Sequence, residues 1–91
     1  MADFPLTLRC AAGMLFTGRC TALTLPTAVG RCGILPHHAD ALFVLAPGEA
    51  VLVQGARRTR VALSGGIARV EGGKVLLLAT EAAILPGPDG G

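Results

Sequence analysis

Glycine and proline punctuate this chain so densely that no long helix can form in it. Thirteen glycines and six prolines are spread along 91 residues, so a turn-forming residue recurs at intervals of about 6 to 12 positions. No segment as long as an ordinary helix keeps an apolar period of 3.6 without one of them inside it. What lies between the breakers is β-rich. PLTLRCA (5–11) alternates, with Leu6, Leu8 and Cys10 on one face and Thr7 and Arg9 on the other. CTALTLPT (20–27) alternates less cleanly and is predicted to stop near Pro26. ALFVLA (41–46), EAVLVQG (49–55) and RRTRVALSG (57–65) are short strand-like runs, parted by Pro47-Gly48 and by Gly55. IARVEGGKVLLLATEA (67–82) reads as a hairpin with Glu71-Gly72-Gly73 at its tip. Many short antiparallel strands in one small chain imply an all-β sandwich or barrel.

Length and composition bound what such a fold can do. Ninety-one residues make one domain with one core. Apolar residues make up 52% of the chain and charged ones 15%, more oil than a small core takes up, so part of it is expected to face a partner. The longest charge-free run, Cys20 to Gly30, is too short for a membrane helix and holds Thr, Pro and Gly. The opening MADFPLTLR places an acid before any base, which is not a signal-peptide pattern. A cytoplasmic location is therefore expected.

Chemistry-bearing residues are sparse. A net charge of +2 is too mild to call for nucleic acid. The one basic run, RRTR at 57–60, has no interleaved aromatic on which bases could stack, and reads as the guarded edge of a hairpin. Cys10, Cys20 and Cys32 are ten or more residues apart, with no C-x-x-C pair, so free and partly buried thiols are expected. Cys32, His37 and His38 could be imagined around zinc, but adjacent side chains of an extended segment point to opposite faces. No metal site is expected. Single, scattered acids offer no carboxylate pair. Ser64 sits in LSGG, without the G-x-S-x-G spacing of a nucleophile elbow. Gly65-Gly66 reads as a bulge or tight strand connection where another backbone comes close, rather than as a phosphate cradle. No catalytic residue and no cofactor are predicted. Two other readings stay open at this point: a stand-alone ligand-binding sandwich, and a hydrolase using Ser64 or a cysteine with a nearby histidine.

Four motifs in register then resemble one family. Gly30-x-x-Gly33-Ile34-Leu35-Pro36-x-His38-Ala39, followed by Leu45-x-Pro47-Gly48, is similar to the segment that marks the epsilon subunit of F-type ATP synthases. Leu15-Phe16-x-Gly18, Leu63-Ser64-Gly65-Gly66 and Lys74-Val75-x-x-Leu78-Ala79 agree in order and spacing. The resemblance extends from about Leu6 to Ala82 and implies a flattened β-sandwich of about ten short, mostly antiparallel strands. It implies residues 1–84 as that domain and 85–91, LPGPDGG, as a flexible tail. It further implies a non-catalytic rotor subunit of the central stalk, peripheral to the cytoplasmic side of a bacterial plasma membrane. Such a subunit holds gamma to the c-ring, so that ion flow and ATP chemistry are coupled. His38, Ala39, Leu42 and Phe43 would fall at the gamma contact, with Leu42 or Phe43 turned outward by alternation. Arg31 and Cys32 would fall at the c-ring contact. The Pro/Gly-rich end is expected to form neither helix of the inhibitory hairpin that members usually carry, and no ATP site is expected.

The chain departs from that family's usual pattern in four places. Arg31 stands where an acid is common, His37 where Gly is usual, Asp40 where Pro is common and Phe43 near a common Thr. His37 is given no role, and the other three remove no glycine or proline that the fold needs. Those three suggest a subunit matched to an unusual gamma and c-ring, such as those of a second ATPase in the same cell.

Overall fold

The computed structural model describes residues 2–87, and every regular element in that span is a strand. In chain order these are β1 (Phe4–Cys10), β2 (Gly13–Cys20), β3 (Ala22–Thr27), β4 (Gly30–Ile34) and β5 (Ala41–Leu45). They continue with β6 (Gly48–Gln54), β7 (Arg57–Leu63), β8 (Gly66–Glu71), β9 (Lys74–Ala79) and β10 (Ala82–Ile84). One continuous path, β10-β7-β6-β3-β5-β8-β9-β1-β2, links nine of them, and β4 pairs with β3 beside it. All pairings are antiparallel except β1 with β9.

The path folds back on itself at β3, which is the hinge between two layers. Its first half, Ala22–Thr24, pairs with β6, and its last residue, Thr27, pairs with Leu45 of β5. Pro26 sits where one neighbour has left and the next begins, so its missing N–H breaks no ladder bond there. β3 runs through Pro26 and ends at Thr27, in keeping with the expectation that the strand stops near Pro26. Pro26 still contributes an acceptor, taking the Ala46 N–H at 3.1 Å. At the far end of the path, β2 returns towards β6. Gln54 Nε2 donates to the Arg19 carbonyl at 3.0 Å, and the Thr21 N–H donates to the Val53 carbonyl at 2.7 Å. The result is a nearly closed sandwich.

Alternation fills the space between the layers. Phe4, Leu6 and Leu8 of β1 meet Leu23 and Leu25 of β3, Leu52 of β6, Val61 of β7 and Leu77 of β9. Each fully buried Leu or Val of this set contributes roughly 1.5–3 kcal/mol relative to exposure. Among the described residues no side-chain N or O atom is buried without a partner. The three cysteines are free, with Cys20 in the core and Cys10 and Cys32 half-buried. Burial pushes the Cys20 thiol up to about 11.

Gly66 shows why the Ser64-Gly65-Gly66 turn needs glycine. Its φ is +138°, and a Cβ there would lie 2.1 Å from the Leu78 carbonyl oxygen. This is the close strand approach predicted from the sequence. Ser64 completes the turn: its hydroxyl accepts the Glu81 N–H at 2.9 Å and donates to the Glu81 carbonyl at 3.4 Å. The tail expectation divides. Residues 88–91 lie outside the described span, whereas Leu85 and Pro86 are tied to β7 through Arg60. The Leu85 N–H donates to the Arg60 carbonyl at 2.8 Å, and the Arg60 guanidinium donates to the Pro86 carbonyl at 3.0 Å.

Candidate functional site

The two layers present unlike outer faces. On the β6–β7 layer, Arg58 and Arg60 stand opposite Val53 and Val51, and Arg60 pairs with Glu49 at 3.3 Å. Long charged stems shield those valines, as expected for the RRTR run. The layer β5-β8-β9-β1-β2 is different. Cross-strand register sets Val44, Ile67, Leu78, Arg9 and Met14 side by side in one row across its outer face. The next row is Leu42, Arg69, Leu76, Thr7 and Thr17.

This second face is apolar and open. Among the described residues eight large apolar side chains are exposed, and five of them, Met14, Leu42, Val44, Ile67 and Leu78, belong to these two rows. Leu42 and Val44 are exposed to 64% and 66%, which is high for large side chains in mid-strand. Side chains directly opposite on neighbouring strands lie about 5 Å apart, so the rows form a continuous patch rather than scattered points. At one end, Thr7, Arg69, Glu71, Lys74 and Leu76 line an open cleft of about 210 Å³, crossed by the Arg69–Glu71 ion pair at 3.6 Å.

The loop that feeds β5 into this face is built from the residues singled out in the sequence. Leu35-Pro36-His37-His38 is a turn closed by the His38 N–H to the Leu35 carbonyl at 3.2 Å. His37 has φ +69°. Proline at the second position and positive φ at the third define a type II turn, whose third position favours glycine. His37 is therefore strained where a glycine would not be. His38 Nδ1 lies 2.7 Å from the Ala39 carbonyl, so that nitrogen carries the proton and donates within its own loop. Its ring meets Phe43 edge-on, with centroids 6.0 Å apart. Asp40 then accepts the Gly72 N–H at 3.0 Å, tying the loop to the β8–β9 hairpin tip.

Each predicted contact residue can now be placed. Leu42 points outward. Phe43 points inward, half-buried against the core. His38 and Ala39 lie at the edge of the apolar face, just before β5. Arg31 is exposed on β4, beyond the β3–β4 turn whose tip residue Val29 is 98% exposed. Cys32 is half-buried beside it, opposite Leu25. The two groups thus occupy different parts of the molecule. Val44, Ile67, Leu78 and Met14 were not among the residues expected at a contact. Their signal was outward alternation of apolar residues in strands whose register only the fold supplies. Among the described residues no three of His, Cys, Asp and Glu converge.

A family model described as the β-sandwich domain of the ATP synthase delta/epsilon chain matches residues 3–84. The chain belongs to that family. The ATP synthase epsilon chain 2 of Nitrobacter hamburgensis is 33% identical over 89 residues, covering 98% of this chain and 65% of that protein. The ATP synthase epsilon chain of Chloroflexus aggregans is 42% identical over 57 residues, covering 63% of this chain and 41% of that protein. The chain therefore spans less than two thirds of these epsilon chains. Among solved structures, a chain of the Euglena gracilis mitochondrial ATP synthase (OSCP/F1/c-ring) superposes with TM-score 0.86 at 30% identity. That match covers 92% of this chain and 54% of the other. A chain of the Tetrahymena thermophila mitochondrial ATP synthase central stalk and c-ring superposes at TM-score 0.74 and 16% identity, a likeness of fold. The architecture expected from the sequence, an all-β sandwich of the epsilon type, is the one observed.

Proposed function

We propose that this chain is the sandwich portion of a central-stalk rotor subunit in an F-type ATP synthase. It holds gamma to the c-ring, so that torque passes between ion transport and ATP synthesis or hydrolysis, and it carries no catalysis itself. One observation carries the reading: a family member of this kind has one outer face with exposed apolar side chains on β5, β8, β9 and β2, while the opposite layer is shielded by charge. Gamma covers the apolar face, with Leu42, Val44, Ile67 and Leu78 as its centre and His38 and Ala39 at its rim. Phe43 contributes from below by setting His38. Arg31 and Cys32, displayed on β4, meet the polar loops of the c-ring. The protein works at the cytoplasmic side of a bacterial plasma membrane, held there through the complex.

Leu42 and Phe43 make the test sharp because they are neighbours with opposite orientations. Leu42→Ala should weaken binding to gamma by ~1–3 kcal/mol and leave the melting temperature near that of the parent. Phe43→Ala should instead lower folding stability by ~1–3 kcal/mol. Titration calorimetry with purified gamma, alongside thermal melts, separates the two. Equal, small effects on both measures would remove the assignment.

A further inference from the structure

Arg9 stands in the middle of the apolar rows without a counter-charge. Its neighbours across the strands are Leu78 on β9 and Met14 on β2. Alternation along β1 keeps Leu8 fully buried and turns Arg9 outward. The ion pairs among the described residues are Arg19–Asp3, Arg60–Glu49 and Arg69–Glu71, and Arg9 is in none of them. Other charges on the outer side of this layer are Arg69, Lys74 and Arg19; the acids Glu71 and Asp3 are held by Arg69 and Arg19, and Asp40 at the rim accepts the Gly72 N–H. The field around Arg9 is therefore apolar or positive.

An isolated arginine in water is well solvated. The same arginine under a protein surface is not, and an unpaired buried charge is strongly destabilising. If this face is covered, as the rotor reading requires, Arg9 must either be matched across the interface or act as a barrier to assembly. We infer that the gamma surface covering this face carries a carboxylate opposite Arg9, and that this pair selects the cognate gamma. The inference rests on the proposed docking of this face, and adds to it the chemistry of the partner at one point. A guanidinium suits such a pair because it offers paired donors to a carboxylate and tolerates partial desolvation better than an ammonium.

The test titrates gamma with four variants of the chain: Arg9→Lys, Arg9→Gln, Arg9→Glu and Val44→Asp. Arg9 is exposed in the free chain, so all three Arg9 variants should melt close to the parent. The expected order of binding is parent, then Lys about 3- to 10-fold weaker, then Gln about 30-fold weaker or more, then Glu weaker still. Gln binding as tightly as the parent, or more tightly, overturns the inference, because removing an unmatched cation relieves its desolvation. Val44→Asp tests the face itself. If it weakens binding while Gln does not, the face docks but no carboxylate meets Arg9. If Val44→Asp leaves binding unchanged, the face is not the gamma contact, and both the rotor reading of this face and the Arg9 inference fall.

Discussion

Replacing Gly66 with alanine should be the most damaging single-methyl change in this domain. Two effects add. The residue adopts φ +138°, where an L side chain is strained, at a cost of about 1–2 kcal/mol. The new Cβ would also lie 2.1 Å from the Leu78 oxygen and 2.8 Å from the Ala79 Cα. Both are backbone atoms of β9, so no rotamer change relieves the clash. The strands must part by roughly 1 Å, which overpacking data place at about 1–3 kcal/mol. The sum is about 2–5 kcal/mol, a large share of the stability of a domain this size. At about 4–8 °C per kcal/mol the melting temperature should fall by at least about 8 °C. Two other glycines separate the causes. Gly55 has φ +66° and nothing within 4 Å of a built Cβ, so Gly55→Ala should show the conformational cost alone. Gly33, on β4, likewise has open space and no left-handed φ, so Gly33→Ala should be neutral or slightly stabilising through the unfolded chain. Urea and thermal unfolding of all three provide the measurement. A Gly66→Ala loss no larger than that of Gly55→Ala would refute the close-approach argument.

His37→Gly should raise stability by about 0.5–1 kcal/mol, the relief of left-handed strain less the extra freedom of the unfolded chain; a lower melting temperature would contradict the type II turn. Asp40→Ala removes the acceptor of the Gly72 N–H and should cost about 0.5–1.5 kcal/mol, with faster amide exchange at Gly72 as the local signature. Cys20 holds its proton longer in the folded state than in the unfolded chain, so its contribution is intact below pH 9, the ordinary thiol value, and is lost as pH rises towards about 11. Denaturation midpoints measured from pH 8 to 11 should therefore fall, and Cys20→Ala should flatten that fall; below pH 9, Ellman's reagent should find Cys10 and Cys32 before Cys20. Arg31→Glu, scored by assembly with the cognate c-ring at low and high salt, should weaken assembly most at low salt if Arg31 faces ring carboxylates.

Seven of the ten strands could be read from turn chemistry and alternation because those are local. β1, β3, β5, β6, β7 and the β8–β9 hairpin each announce themselves within a few residues. β2 and β4 do not, since Gly13, Gly18, Gly30 and Gly33 break their alternation, although each pairs with the strand just before it. β10, three residues long, exists through its pairing with β7. The interaction face was least legible of all. Val44, Ile67 and Leu78 each look like ordinary strand residues, and they become a patch only when register sets β5 beside β8 and β8 beside β9.

The departures from the family pattern take on a different meaning once the loop before β5 is seen. Asp40 and Phe43 suggest adaptation to an unusual partner, yet both have intramolecular work. Asp40 gives the β8–β9 hairpin an acceptor that proline lacks a side-chain oxygen to supply. Phe43 offers His38 an aromatic edge where threonine could not. His38 is thereby held between its own Ala39 carbonyl and the Phe43 ring, and β5 is clamped to β8 at the end opposite its Leu45–Gly66 pair. His37 is the residue left strained by this arrangement, and nothing in the structure compensates it. The clamp fixes the strand that carries Leu42 and Val44, the two most open apolar side chains of the face. Changes that look like partner matching can thus act one step earlier, by stiffening the element that presents the contact. Arg9 and Arg31 are the opposite case: they have no ion-pair partner among the described residues, and the charge matching proposed for them is with the docked partners.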